Sequence, residues 1–182
     1  REDMFEPSQE QLDELVETCG IMVDAPPILG TEFVPVGSRA VEAMNLTPAE
    51  LTAVNASIEQ THREFKEAIV AAYLEATGDE AGVATLSPRA MLEELEDKGL
   101  EGEASRIRRR LAQERAGRAA PPVDSTGLTL LERGLRSLHG SGDRMQSLLG
   151  ETIGPERARE LRAAEGGWPW SRMRSNGCDQ DE

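Results

Sequence analysis

Residues 48–76 constrain most what this chain can fold into. They follow Leu46-Thr47 and run to Gly78 with no internal proline or glycine after Pro48. Thr47 is placed to cap a helix and Pro48 suits its first turn. Glu50, three residues past the cap, can return its carboxylate to the cap N–H. Behind this opening, Leu51, Val54, Ile58, Phe65, Ile69 and Ala72 recur at helical spacing and form one apolar stripe. A helix of that length would be ~44 Å long, against the ~30 Å width of a small domain. The expected fold is therefore all-α: an elongated helical hairpin or a small helical bundle. A homodimer is a further way to cover the stripe, and Leu51, Val54, Ile58, Phe65 and Ile69 are the expected face for contact with a protein partner.

The rest of the chain divides into three parts. In residues 1–37, Ser8 opens a short helix with Gln11 in the capping-box position. The Pro- and Gly-rich segment 21–37 then reads as an extended strap laid on a helix surface. Residues 38–165 form the helical domain. Ser38 caps a short turn, the long helix follows, and Ser87-Pro88 restarts the pattern as helix, kink, helix up to Gly117. Residues 119–127, Ala-Ala-Pro-Pro-Val-Asp-Ser-Thr-Gly, are the clearest linker. A leucine stripe from Leu128 to Leu138 breaks at His-Gly-Ser-Gly-Asp (139–143), and Pro155 begins a last short helix. Residues 166–182 carry turn residues without a period and read as an irregular tail. Within it Trp168-Pro169-Trp170 either packs onto a leucine-rich face or docks to a partner.

Charge narrows the partners. Of 34 acidic and 20 basic residues, 17 acids and 4 bases lie in residues 1–80, and 17 acids and 16 bases in residues 81–182. A net charge of −14 argues against nucleic acid, which needs a basic footprint. The acidic half reads as a solvated face. Arg106, Arg108, Arg109, Arg110, Arg115 and Arg118 are interleaved with Glu101, Glu103 and Glu114, again a solvated helix face. No apolar run approaches the ~20 residues that span a bilayer. A start at Arg1 rather than Met points to a removed signal peptide or membrane anchor, so membrane association is expected only through such an anchor.

The segment Leu46-Thr47-Pro48-Ala49-Glu50 resembles the LTxxQ motif of the Spy/CpxP family of bacterial periplasmic proteins. Leu86-Ser87-Pro88 and Ile153-Gly154-Pro155 are weaker echoes of it. Glu50 departs from the family's usual glutamine but keeps its capping chemistry. The resemblance implies a helical hairpin that dimerises into a cradle, periplasmic or exported. Its role would be chaperone-like or in envelope stress, through contact with a protein partner or an unfolded client. A metal-responsive sensor is the second role it implies.

Three groups of residues carry possible chemistry. Cys19 and Cys178 sit near opposite ends. In an exported chain a bridge between them would tie the tail to the first helix, worth roughly 5 kcal/mol in the chain-entropy model. Two unpaired thiols and a redox or metal role are the other readings. His62 borders the main stripe with Glu59 one turn before it, a pair that could share a transition metal ion. A histidine at a helix interface is the competing reading. No nucleophile–base arrangement or phosphate loop stands out, so a non-enzymatic protein without a cofactor is expected. A metal-binding sensor domain and a structural or assembly subunit are the alternatives.

Overall fold

A computed structural model of the chain describes residues 7–95, 97, 101–164 and 171–175. The protein is all-α, with nine helices among the described residues and one short two-stranded ribbon. The sequence in 48–77 forms a single helix, α3 (Pro48–Thr77). Thr47 accepts from the Glu50 N–H while Glu50 accepts from the Thr47 N–H, so both arms of the capping box are present. Gly78 ends the helix in the left-handed region, at φ 66°, where a side chain would be strained.

One rod was expected; an open hairpin or a covering second copy is not what shelters it. Val54, Ile58, Phe65 and Ile69 are at most 1% exposed and Leu51 is half-buried. These stripe residues are the protein's own core and are unavailable to a partner. Two hydrophobic clusters lie in series along the rod. One gathers Phe65, Ile69 and Tyr73 with Met91, Leu95 and Leu135; the other gathers Val54 and Ile58 with Met145, Leu149 and Leu161. Full burial of each large side chain contributes about 1.5–3 kcal/mol. A rod longer than a small domain is thus wrapped by covering it one stretch at a time, which makes a small bundle.

The cover comes mainly from α5 (Pro88–Leu95), α7 (Leu130–His139) and α8 (Ser141–Ile153). A Cβ on Gly134 of α7 would touch Ile69, Arg144 of α8 bonds Glu64, and Arg157 of α9 (Pro155–Ala163) bonds Glu50. The chain from α7 onward therefore travels back along α3, and α9 starts beside the opening of α3. Two helix-opening sequences distant in the chain, at 46–50 and 153–157, meet there.

Residues 7–37 belong to the same core. Helix α1 (Gln9–Glu17), with its Ser8–Gln11 capping box, packs on α6 (Glu101–Arg115). Where a strap alone was expected, residues 21–25 form strand β1 (Ile21–Ala25), and Ile21, Val23, Ala25 and Ile28 join the Phe65 cluster. The strap proper, 26–37, is clasped to α3. The Gly30 carbonyl accepts from His62 Nε2 at 2.9 Å, the Thr31 carbonyl accepts from Lys66, and the Val36 N–H donates to Asn55. The tail also departs from expectation. Residues 171–175 form β2 (Ser171–Ser175), antiparallel to β1 with Ile21 opposite Ser175 and Ala25 opposite Ser171. Five residues are too few to show a period, and only β1 supplies the ladder that makes them a strand. Trp168, Pro169 and Trp170 lie outside the described residues.

Smaller departures have local causes. In α2 (Ser38–Ala43) the capping position falls to Gly37, and Ser38 is the first helical residue. Asp79 caps α4 (Glu80–Thr85), a turn of helix hidden in sequence by its Gly82. The break at 139–143 shrinks to Gly140 alone, since α7 and α8 abut there. The linker between α6 and α7 is open, and its Val123 is fully exposed at 103%.

The α6–α7 seam is ionic. Arg136 donates to both oxygens of Glu114, at 2.7 and 2.8 Å, and to Glu132, which also accepts from Arg110. Glu114 and Glu132 are 8% exposed. Removing the cation would leave two buried carboxylates facing each other across the seam. Arg136→Ala is expected to destabilise the fold by about 3–5 kcal/mol, read from urea denaturation. Limited proteolysis is expected to cut first within 119–127, the most open described loop. The two fragments should stay together on size exclusion, because the α6–α7 seam and the shared core do not depend on the loop.

Candidate functional site

The α8–α9 hairpin packs against β1 at a point that only glycine permits. A Cβ on Gly142, in the first turn of α8, would lie 2.0 Å from the Asp24 carbonyl oxygen. This close approach brings β1, α8 and α9 together around Arg162. Its Nη1 donates to Asp143 at 2.8 Å and to Gln146 at 2.7 Å, and its Nη2 stands 3.7 Å from the Asp24 carboxylate. Arg162 and Asp24 are 12% and 8% exposed, so the pair is a buried tie. From the other side, Arg115 at the end of α6 donates to the Met22 carbonyl of β1.

Above this tie lies an open cleft of about 800 Å³. Pro7 and Leu12 form an apolar lip on the α1 side. Arg115 lines it from α6, and Glu156, Arg159, Glu160 and Arg162 line it from α9. Half of its six charged residues are paired, Asp143 with Arg162 and Glu160 with Arg157, which stands outside the lining. Arg115 has no carboxylate partner among the described residues, and Arg159 donates from its Nε to the Pro155 carbonyl. In a chain with excess acid, two arginines left with donors to offer in one cleft are unusual.

Both histidines are buried. His62 is buried and its Nε2 donates to Gly30, while Glu59 is exposed, so the two face different surroundings. No group of three or more His, Cys, Asp or Glu among the described residues is placed to hold a metal ion. His139 is buried at the end of α7, with both ring nitrogens lacking a hydrogen-bond partner. Burial, and then the positive charges of Arg115 and Arg108, push it down to about 3. It is a neutral imidazole at pH 7. The buried hydroxyls of Ser57, Thr61 and Ser141 donate to carbonyls of their own or the preceding helix. Tyr73 bonds Glu94 and Asp79, and burial and those carboxylates push its hydroxyl up to about 12.

Of the residues singled out in sequence, Leu46, Thr47, Pro48 and Glu50 come together as the start of α3. Glu50 does more than cap. One oxygen accepts from the Thr47 N–H at 2.8 Å, and the other accepts from Arg157 at 2.6 Å. A glutamine there would keep the cap and lose the ion pair. Cys19, at the turn between α1 and β1, is in a disulfide, and Arg109 Nε lies 3.1 Å from its sulfur. Cys178, the chain's other cysteine, lies outside the described residues. The cleft residues were not legible as a set, because they come from α1, α6, α8 and α9. A second Leu-Thr-x-x-Glu, Leu128 to Glu132, was in plain view. Thr129 caps α7 as Thr47 caps α3, and α7 is the helix packed most extensively on α3.

Comparison with protein-family models, with curated proteins and with solved structures finds no match for this chain. No described helix is long and apolar enough to cross a membrane.

The site's charges fix an acid dependence. Arg157 and Arg144 hold Glu50 and Glu64 down to about 2 from 4.5, through hydrogen bonds to their carboxylates. These glutamates stabilise the fold above pH 4.5, and that contribution is lost as pH falls toward 2. His139 resists protonation when folded and accepts it when unfolded, so stability also falls with acid below about pH 6.5. In urea denaturation from pH 7 to pH 3, His139→Leu is expected to flatten the upper part of this decline, by at most ~1.4 kcal/mol per pH unit. Glu50→Gln with Glu64→Gln should flatten the lower part. An unchanged slope in the leucine variant would refute the neutral, buried state of His139.

Proposed function

We propose that this protein acts by contact with another polypeptide, held in the cleft between α1, the end of α6 and the α8–α9 hairpin. The observation that carries this reading is the cleft itself: wide, open, with an apolar lip and two arginines without acid partners among the described residues. The apolar stripe of α3, first expected to bind the partner, is used inside the fold and leaves the cleft as the surface suited to the task.

An exported, chaperone- or stress-type role is the finer form of the proposal. It is supported by the resemblance of residues 46–50 to the LTxxQ motif, now doubled at 128–132, and by the disulfide at Cys19, a bond typical of oxidising compartments. In this reading the client is bound weakly and through charge, so the contact is sensitive to salt.

The test is suppression of aggregation of a reduced, unfolding client at equimolar protein. Suppression is expected with the wild type, to weaken in about 1 M salt, and to weaken in Arg159→Glu. Arg159 is exposed and outside the core, so that variant retains the fold. Absence of suppression, or full suppression by Arg159→Glu, would remove the cleft from this role.

A further inference from the structure

We infer that the cleft reads a polypeptide C-terminus: one free carboxylate held by Arg115 and Arg159, with a small apolar last side chain against Pro7 and Leu12. This rests on the polypeptide-binding role and names the part of the polypeptide that is bound.

Three observations lead to it. The first is the set of donors on offer. Arg162 is engaged by Asp24 and Asp143, and Arg157 by Glu50 and Glu160. Arg115 and Arg159 line the same cleft without a carboxylate partner among the described residues. A planar carboxylate is the group that guanidinium forks bind best, by charge-assisted hydrogen bonds. The second is the surrounding charge. The chain carries a net −14, and Glu156 stands on the same face of α9 as Arg159. An acidic stretch would be repelled, whereas a chain end brings one carboxylate and no further negative charge. The third is a narrow apolar crevice of about 10 Å³ that shares Pro7, Leu12 and Arg115 with the cleft and continues between Leu15, Ile21 and Ala112. That volume admits one small group. Because Arg115 borders both spaces, a carboxylate on it places the adjoining side chain at the crevice. Capture of a terminal carboxylate is a recurring mode of peptide recognition, here with arginine in place of a backbone nest.

The test uses the full chain and fluorescein-labelled hexapeptides Gly-Ser-Gly-Ser-Gly-Ala, read by anisotropy. One ends in the free acid, one in the C-terminal amide, and a third replaces Ala with Trp. The free acid is expected to bind about tenfold or more tightly than the amide, the gain typical of a charge-assisted hydrogen bond. It is also expected to outbind the Trp peptide, which cannot enter the crevice. Arg159→Gln should erase the advantage of the acid over the amide. Arg133→Gln, which alters an exposed arginine bonded to the Ser125 carbonyl, should preserve it. Equal binding of acid and amide, or equal losses in the two variants, would overturn the inference. If no peptide binds while the wild type still protects an unfolding client, only the terminus-reading falls. If protection fails as well, the polypeptide-binding role falls with it.

Discussion

The apolar stripe of α3 has to be covered along its whole length, and the rest of the chain is arranged by that requirement. A single small core cannot reach both ends of a 30-residue helix. The protein answers with two clusters placed in series, one about Phe65, Ile69 and Tyr73 and one about Val54 and Ile58. Strand β1 and the residues of α5, α6 and α7 serve the first; α8, α9 and the end of the strap serve the second. Helix α3 is the one element that both clusters share in depth, which is why it must be unbroken.

Hydrophobic cover alone leaves the sliding position of helices weakly determined, because an aliphatic stripe looks alike at every turn. Ion pairs mark the positions. Glu64 with Arg144 and Glu50 with Arg157 index α8 and α9 against α3, while Asp13 with Arg118 and Asp24 with Arg162 tie the first 25 residues to the segment just past α6 and to α9. In each pair the acid lies in residues 1–80 and the base in residues 81–182. The uneven charge of the two halves is therefore partly a matching code between them. The exposed pairs among these, Glu64 with Arg144 and Asp13 with Arg118, add little stability singly, and their worth here is in register.

The cleft follows from the same packing. Gly142 lets α8 close onto the Asp24 carbonyl beside Arg162, and Arg159 of the same hairpin lines one cleft with Arg115. His139 sits behind Arg115 as a neutral, unbonded imidazole and contributes to the acid limit of the fold.

Local chemistry was legible in sequence where it was self-contained. The limits of α3, its capping box and its Gly78 stop all depend on residues within one turn of each other, as does the Ser8 start of α1. The strap across α3 was readable from its Pro- and Gly-rich composition, and an interface place for His62 was one of two readings of its position at the border of the stripe. Strand β2 was not, since five residues without a clear period acquire their form only from β1. Nor was the fate of the stripe, whose partner could have been another chain. By itself the sequence determined that the protein is helical, with one long capped rod and one open linker, because caps and periodicity act over a few residues. Only the tertiary structure decided what covers the rod, which acids meet which arginines, and where a cleft is left, because those outcomes depend on contacts between residues a hundred positions apart.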